Sequence, residues 1–309
     1  MFELTQVPFG IYRLYTLHHP ETGDGFSIVP GLGATVLELN FRGTNVIDGY
    51  QSPEELEIGK WGKSALLFPF PNRLQDGQYS WLGENHFFPI NHPSSGNAIH
   101  GFVRDEAFEV VRIELTNETA ELTCRYEYRG QHASYPFPFT LEVTFSMSYR
   151  SAFHVSFFLK NRHKEAIPVG LGWHPYFRLA DTVGDHNMQL PTCKMVEIDE
   201  RMIPTGGLRA FPDFSKEKML GDTVLDNCFK VADEHTLYHL HLRAGTRQLT
   251  LAASRELFPF FQVFTPPDRQ SIALEPMTCN VNAFQTGDGL VTVPAGGDWT
   301  AAFGVEYRD

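Results

Sequence analysis

The sequence predicts an all-β protein, a large antiparallel β-sandwich that forms one domain over residues 1–309. Three observations support this fold class. Apolar and polar residues alternate over three consecutive segments between residues 107 and 160, a period of two that is typical of half-buried strands. The chain is rich in aromatic and turn-forming residues, with 26 Phe, 26 Gly and 20 Pro. It shows no long amphipathic helix and no alternation of strands with helices.

The three alternating segments are the clearest strands. Each places its apolar side chains on one face, as follows: Leu122, Cys124, Tyr126 and Tyr128; Leu141, Val143, Phe145 and Met147; Phe153, Val155, Phe157 and Leu159. His154 falls on the opposite face of the third segment, so we expect it to face solvent.

Turn and cap signals mark the N-terminal part of the chain. Residues 23–25, Gly-Asp-Gly, form a hairpin-type turn signal between candidate strands at 12–17 and 26–29. Ser52 is followed by Pro53 and two acidic residues, which predicts a short helix because proline and acids favour the first helical turn.

The C-terminal half contains further predicted strands after an irregular stretch. Residues 180–220 carry scattered Pro and Gly and are expected to be irregular. Later strands are predicted at 238–242, 249–253, 260–264, 271–274 and 303–307. Glu275 would then lie at a strand end.

Composition and charge exclude several classes of protein. The formal net charge of −12 opposes nucleic-acid binding, and no cluster of Lys and Arg offsets it. No apolar run approaches the ~20 residues that span a bilayer, and no signal-peptide pattern is evident. Four widely spaced cysteines predict neither a zinc site nor a disulfide framework. We therefore expect a cytoplasmic protein, either a monomer or a homodimer.

Polar residues capable of chemistry are dispersed along the predicted strands. Asn72 and Arg73 follow a hydrophobic run interrupted by two prolines, and we expect them to line a pocket. His100 precedes Gly101, a residue that would allow a ligand to approach the backbone closely.

His174 lies near the middle of the chain in residues 172–177, Gly-Trp-His-Pro-Tyr-Phe. Pro175 disfavours the helical conformation for His174 and favours an extended one, from which the side chain can project into a cleft. Histidine titrates nearest neutral pH, so His174 is a candidate proton donor. The alternative is a structural histidine within an aromatic layer.

Acidic residues in the C-terminal third complete the set. Glu275 and His174 could form an acid/base pair without a metal. Asp226 is a candidate polar group of the same site, with Asp222 as a competitor. His239 and His241 share a strand face, but no third ligand is placed by the sequence, so we interpret them as exposed residues.

Four ordered motifs resemble those of the aldose 1-epimerases (galactose mutarotases). The motifs are Asn72-Arg73-Leu74 with Gly77 and Gly83, His100-Gly101-Phe102, His174-Pro175-Tyr176-Phe177, and Glu275-Pro276 with Asn282-Ala283-Phe284. Residues 226–229, Asp-Asn-Cys-Phe, are similar to a short acidic motif of the same family. The resemblance spans nearly the full chain and implies a galactose mutarotase-like sandwich with an open cleft on one sheet.

The resemblance also implies a reaction and a set of roles. Glu275 would be the general base that takes the proton from the C1 hydroxyl of a hexopyranose, and His174 the general acid that protonates the ring oxygen. The ring opens, the C1–C2 bond rotates, and reclosure gives the other anomer without a metal or organic cofactor. The remaining predicted site residues would bind the sugar: Asn72, Arg73, His100 and Asp226 as polar groups, Trp173 and Tyr176 as aromatic groups.

The motif from His100 to Arg104 leaves the substrate open. It departs from the galactose-specific branch and resembles the broader epimerase group, which includes hexose-6-phosphate epimerases. Arg104 is then a candidate phosphate contact, because a guanidinium binds phosphate in bidentate fashion. Its neighbours Asp105 and Glu106 argue against an anion site, and a structural ion pair with one of them is an alternative of at least equal weight.

Two other classes of function remain as alternatives. A non-catalytic carbohydrate-binding protein on the same scaffold would need only the aromatic platform and the polar groups that hold hydroxyls. A glycoside hydrolase would need two carboxylates, for which Glu275 and Asp226 are candidates. That reading leaves His174 without a role.

Overall fold

The fold consists of antiparallel strands arranged in two large sheets and one smaller sheet, which confirms the predicted β-sandwich. The computed structural model describes all of residues 1–309. The longest helix has six residues, and none of the helices has both the length and the apolar character needed to cross a membrane.

The first third of the chain contributes ten strands and one helix. Their bounds are β1 (Glu3–Phe9), β2 (Tyr12–His18), β3 (Gly25–Val29), β4 (Thr35–Phe41), β5 (Thr44–Asn45), α1 (Pro53–Ile58), β6 (Ala65–Leu67), β7 (Arg73–Gln75), β8 (Gln78–Trp81), β9 (Glu84–Phe87) and β10 (Asn97–Ile99).

The remainder of the chain contributes eighteen strands, one short α-helix and two 3₁₀ turns, Val103–Asp105 and Val183–Asp185. Those of the middle are β11 (Glu109–Leu115), β12 (Thr119–Tyr128), β13 (Phe139–Ser148), β14 (Ala152–Asn161), β15 (Ile167–Val169), β16 (Gly172–His174), β17 (Tyr176–Phe177), β18 (Asn187–Gln189), β19 (Cys193–Ile198), β20 (Pro204–Ala210) and β21 (Lys218–Met219). The last are β22 (Asp226–Val231), β23 (Leu237–Ala244), β24 (Arg247–Ser254), β25 (Phe260–Phe264), β26 (Ile272–Met277), α2 (Ala283–Thr286), β27 (Val291–Val293) and β28 (Asp298–Arg308).

The strand order assigns these elements to sheets. The nine-stranded sheet runs β11-β12-β13-β14-β28-β24-β23-β18-β21, and the eight-stranded sheet runs β20-β19-β22-β25-β26-β16-β6 with β17 also paired to β26. The five-stranded sheet runs β1-β2-β3-β4-β5. Three two-stranded pairs, β7 with β10, β8 with β9 and β15 with β27, complete the fold.

The hydrophobic core lies against the inner face of the nine-stranded sheet, which both other sheets cover. Trp173 of β16 stacks on Phe303 of β28 with 5.4 Å between ring centroids. Phe26 of β3 packs on Phe153 of β14 at 5.3 Å. One buried apolar cluster joins all three sheets, so burial of these aromatic side chains stabilises the whole assembly.

Several local predictions are confirmed. The three alternating segments form β12, β13 and β14, and His154 is exposed on the outer face. The predicted helix is α1, where the Ser52 hydroxyl accepts a hydrogen bond from the backbone N–H of Glu55. It ends at Gly59, whose left-handed conformation suits glycine at this position.

Two local predictions are wrong. Residues 180–220 contain four strands, β18 to β21, although the prolines and glycines suggested irregular structure. These strands are short and form because neighbouring strands supply hydrogen-bond partners, a contribution that a local pattern does not reveal. Glu275 lies inside β26 rather than at a strand end.

Candidate active site

A cleft of about 320 Å³ opens on the outer face of the eight-stranded sheet, a size typical of sites for small ligands. Seven of the eight predicted site residues line it: Asn72, Arg73, His100, His174, Tyr176, Asp226 and Glu275. Residues that are up to 203 positions apart in the sequence, Asn72 to Glu275, therefore meet in one place.

Strand alternation directs these side chains into the cleft. On β26, Glu275 faces the cleft while Leu274 belongs to the core, and on β25 Gln262 faces the cleft while Phe261 belongs to the core. Gln262 and Glu275 are paired across the two strands. His174 reaches the same face from β16, so three adjacent strands present polar groups side by side.

The central contact of the cleft joins His174 to Glu275. The Nε2 atom of His174 lies 3.3 Å from Oε1 of Glu275. Both side chains are buried, with residue exposures of 5% and 1%. Groups at this separation are within reach of a shared proton, as acid/base chemistry requires.

Burial shifts both members of this pair towards their neutral forms. Desolvation raises the pKa of Glu275 well above that of an ordinary glutamate, and the nearby carboxylate of Asp226 raises it further. Desolvation also lowers the pKa of His174, and the charge of Arg104 acts in the same direction. Both shifts favour a pair that holds one proton and has no net charge.

His100 is held in a defined tautomer beside this pair. Its Nδ1 accepts a hydrogen bond from the backbone N–H of Asn72 at 3.1 Å, which leaves Nε2 as the donor of the neutral ring. Burial and the neighbouring His174 lower the pKa of His100 and keep it neutral. The ring packs edge-on against His174 with 5.2 Å between centroids.

Arg73 and Asp226 form an ion pair that lines the cleft. A terminal guanidinium nitrogen of Arg73 lies 3.7 Å from Oδ2 of Asp226. Burial raises the pKa of Asp226, and the charge of Arg73 opposes that rise. Asp222, the competing candidate, is exposed and does not line the cleft.

The two predicted aromatic residues have different positions. Tyr176 lines the cleft and stacks on His174 with 4.9 Å between ring centroids. Trp173 lies in the core, fully buried, and donates a hydrogen bond to the backbone carbonyl of Ser64 at 3.2 Å. Its assignment to sugar binding is wrong because successive strand residues face opposite sides, so Trp173 points away from the face that carries His174.

The prediction for Gly101 is also corrected. Its backbone approaches another part of the chain rather than the cleft, since a Cβ at this position would lie 2.1 Å from the carbonyl oxygen of Phe68. With φ at +63° and this close contact, only glycine fits without strain. Gly101 thus supports the local turn that places His100.

Arg104 lines the cleft next to the histidines. Its Nε lies 3.6 Å from Asp105, whose side chain is 71% exposed, so the ion pair predicted as an alternative is present but weak. The same buried Nε has no hydrogen-bond partner. The cation is therefore still able to bind an anionic or polar ligand.

Sequence reasoning missed eight residues of the cleft lining: Gly59, Trp61, Gly62, Asn91, His92, Ile99, Gln262 and Phe264. Trp61 lies in the 3₁₀ turn Lys60–Gly62, where its own backbone is left-handed with φ +63°, and it stacks on Tyr176 with 6.5 Å between centroids. A non-glycine residue in this conformation often marks a functional site, but it is not visible in the sequence. Gln262 had a signal, because it is the one polar residue inside an apolar strand, residues 260–264.

His239 and His241 stack on each other with 5.8 Å between ring centroids, on the face of β23 opposite the core. No group of three or more His, Cys, Asp or Glu side chains in the protein is arranged to hold a metal ion.

The fold is a large antiparallel sandwich, and its cleft contains the buried contact between His174 and Glu275. The sequence matches the aldose 1-epimerase family over residues 13–306. The protein belongs to that family.

A relative matches this chain in sequence, and solved structures share its fold at low identity. The uncharacterised protein YihR of Escherichia coli K12 is 29% identical over 280 residues, covering 89% of this chain and 87% of YihR. A galactose mutarotase-like protein from Clostridium acetobutylicum superposes with a TM-score of 0.89 at 16% identity, over 100% of this chain and 99% of that one. Galactose 1-epimerase from Lactobacillus acidophilus gives 0.85 at 17% identity, over 100% and 98%.

Proposed function

We propose that this protein is an aldose 1-epimerase that interconverts the α and β anomers of a hexopyranose by acid/base ring opening and reclosure. The observation that carries this proposal is the 3.3 Å contact between His174 Nε2 and Glu275 Oε1 inside the cleft. Epimerisation at C1 needs one group that takes a proton and one that gives a proton on adjacent oxygens of the sugar, and this pair supplies both.

The polarity of the cleft supports a polyhydroxylated ligand. Four buried atoms that belong to cleft residues have no hydrogen-bond partner: Nε of Arg73, Nε of Arg104, Nδ1 of His174 and Oε2 of Glu275. An unpaired buried polar atom costs about 1–3 kcal/mol. Sugar hydroxyls can donate to the carboxylate oxygen and accept from the two guanidinium groups, so binding would recover much of that free energy.

The proposed reaction conserves its protons. Glu275 as carboxylate takes the proton from O1, the electron pair of that O–H bond forms the C1 carbonyl, and the C1–O5 bond breaks as His174 protonates O5. The open aldehyde rotates about C1–C2. O5 then attacks the opposite face of C1, returns its proton to His174, and Glu275 reprotonates O1. The pair ends in its starting state.

The reaction starts from the charged form of the pair, which is one proton transfer away from the neutral form. A protonated Glu275 beside a neutral His174 has the same number of protons as a carboxylate beside an imidazolium. Transfer across the 3.3 Å contact converts one form into the other. Ligand hydroxyls and the neighbouring Arg73 would favour the charged form by hydrogen bonding to the carboxylate or by attraction.

Other residues would hold and orient the sugar. The proton on Nε2 of His100 and the charges of Arg73 and Asp226 suit hydroxyl groups. Trp61, and not Trp173, is the tryptophan at the cleft, where it is half-buried beside Tyr176. An indole provides an apolar wall for the C–H side of a pyranose.

A hexose 6-phosphate is a second candidate substrate, and the position of Arg104 favours it. Its guanidinium faces the cleft with an unpaired Nε, and its only acidic partner is the solvent-exposed Asp105. An arginine in this state is suited to a phosphate. The glycoside hydrolase alternative is less favoured because Asp226 is engaged by Arg73 and would need to act as a free catalytic carboxylate.

Polarimetry of freshly dissolved sugar tests the proposal. We expect the wild-type protein to accelerate the approach of α-D-glucose or α-D-galactose to its equilibrium rotation, and Glu275→Gln to lose that acceleration. If free hexoses do not respond, hexose 6-phosphates are tested with wild type and Arg104→Met, and selective loss in the variant supports a phosphate contact. Saturable binding without acceleration for every sugar would instead indicate a carbohydrate-binding protein.

A further inference from the structure

Four cleft side chains form a closed ring of polar contacts. Arg73 donates from a terminal nitrogen to Oδ1 of Asn72 at 3.0 Å. Nδ2 of Asn72 donates to Oε1 of Gln262 at 3.2 Å. Nε2 of Gln262 donates to Oδ1 of Asp226 at 2.6 Å. The ring closes where Oδ2 of Asp226 lies 3.7 Å from the other terminal nitrogen of Arg73.

The charges of Arg73 and Asp226 determine which atoms donate and which accept in this ring. A guanidinium can only donate, so Asn72 must present its oxygen to Arg73 and its NH₂ group to Gln262. An ionised carboxylate can only accept, so Gln262 must present its NH₂ group to Asp226 and its oxygen to Asn72. The two amides therefore have one mutually consistent orientation, and neither can flip without breaking contacts on both sides.

Three of the four side chains in the ring are shielded from water, whereas the side chain of Asp226 is 34% exposed. Asn72 and Gln262 are 2% and 3% exposed, and Arg73 is 8% exposed. Hydrogen bonds in such surroundings are stronger than in water, and the loss of one partner leaves another group buried and unpaired. Gln262 is also paired with Glu275 across β25 and β26, so the ring is anchored directly beside the acid/base pair.

We propose that Gln262 is a positioning residue for substrate binding, which holds the carboxylate of Asp226 directly and the guanidinium of Arg73 through Asn72 in the geometry that meets the sugar hydroxyls. The proposal rests on the proposed sugar-binding function. It assigns Gln262 an action through the two charged residues, with no contact to the reacting atoms.

Two substitutions separate positioning from packing. Gln262→Met keeps the approximate shape and removes both ring contacts. Gln262→Glu keeps the acceptor for Asn72 but places a second carboxyl against Asp226, so it can complete the ring only when the two carboxyls share a proton. Low pH should therefore restore the ring in Gln262→Glu and leave Gln262→Met unchanged.

A titration of the free protein reports on the ring without any sugar. The hydrogen bond from Gln262 lowers the pKa of Asp226. The side-chain carboxyl ¹³C resonance of Asp226 should therefore titrate at higher pH in Gln262→Met than in wild type. An unchanged titration midpoint would show that Gln262 does not hold this carboxylate.

Sugar binding is then measured by calorimetry between pH 5 and pH 8, with the hexose that responds in polarimetry. Because the proposed reaction only exchanges anomers, an equilibrated sugar solution stays unchanged and active protein can be used. We expect affinity to fall roughly tenfold or more in Gln262→Met at every pH, and Gln262→Glu to recover towards wild type as pH falls. The corresponding change in activity should lie mainly in KM.

The possible outcomes distinguish a positioning role of Gln262 from direct binding of the sugar by its amide. Wild-type affinity in folded Gln262→Met, or no recovery of Gln262→Glu at low pH, would overturn the positioning role; the second result would indicate that the Gln262 amide itself binds the sugar. If Gln262→Met does not fold, Gln262→Glu, which is closer in shape to the wild-type residue, still tests the positioning role through the pH dependence of its sugar affinity. Absence of sugar binding and of activity in wild type would count against the proposed function, while the Asp226 titration would still report on the ring.

Discussion

His174 and Glu275 share a buried contact of 3.3 Å between Nε2 and Oε1, and burial disfavours the charged form of each. The two side chains come from β16 and β26, which pair in the eight-stranded sheet. Their separation is set by two hydrogen-bonded strands rather than by flexible loops. A rigid frame of this kind suits acid/base chemistry, in which small displacements of the reacting groups lower the rate.

Removal of either member of the pair should abolish most of the catalytic acceleration. We expect Glu275→Gln and His174→Asn each to lower kcat by about 10²–10⁴-fold, the usual contribution of positioned proton transfer. KM should change much less, because the binding groups remain. The double variant should lose little more than either single one, since the two residues act as a unit. Initial rates of anomer exchange measure this, and additive losses would argue against a shared proton.

The pH dependence of activity should follow the proton of the pair. The reactive form holds one proton, so activity should fall at high pH when the pair loses it. The pKa of Glu275 is raised by burial and by Asp226, so this alkaline limb should lie well above the usual range of a glutamate. Asp226→Asn removes a negative charge that raises the pKa of Glu275. The alkaline fall of kcat/KM should therefore move to lower pH in this variant. A limb that moves to higher pH, or does not move, would contradict this assignment.

Stability should also depend on Glu275, in a direction opposite to that of most carboxylates. Between about pH 4.5 and its raised folded-state pKa, Glu275 keeps a proton in the folded protein that the unfolded chain releases. Ionisation of the unfolded chain therefore lowers the free energy of unfolding as pH rises, by at most about 1.4 kcal/mol per pH unit. Below pH 4.5 both states are protonated and the effect disappears.

Glu275→Gln lacks this titration and provides the comparison. The free energy of unfolding of wild type minus that of Glu275→Gln should become more negative as pH rises from about 4.5. Denaturant melts at several pH values measure the difference. A pH-independent difference would mean that Glu275 ionises normally in the folded protein.

The two tryptophans near the cleft should give opposite phenotypes. Trp173→Ala removes a fully buried core side chain and should lower the free energy of unfolding by about 3–5 kcal/mol. Trp61→Ala removes a half-buried residue of the cleft wall and should mainly raise KM. Thermal melts and steady-state kinetics on both variants test this, and a normal KM for folded Trp61→Ala would exclude Trp61 from the sugar site.

Much of the fold follows from the sequence because period two is a local property. The alternation within residues 107–160 predicted β12 to β14 and the exposed face of His154, and the Ser-Pro cap predicted α1. Ordered motifs also pointed to His174 and Glu275. Strand alternation in the sequence already carried the information that Trp173 faces away from His174, although a tryptophan next to a candidate catalytic residue suggested a ligand contact.

Tertiary structure determined the features that depend on residues far apart in the sequence. The strands within residues 180–220 exist because neighbouring strands pair with them. The approach of His174 to Glu275 and the meeting of Arg73 with Asp226 depend on strand order and register. Trp61 lies at the cleft because its backbone is left-handed, a conformation that no local sequence pattern predicted. The sequence alone thus determined which residue types are available and which strand faces they occupy, whereas long-range pairing determined which of them lie within bonding distance.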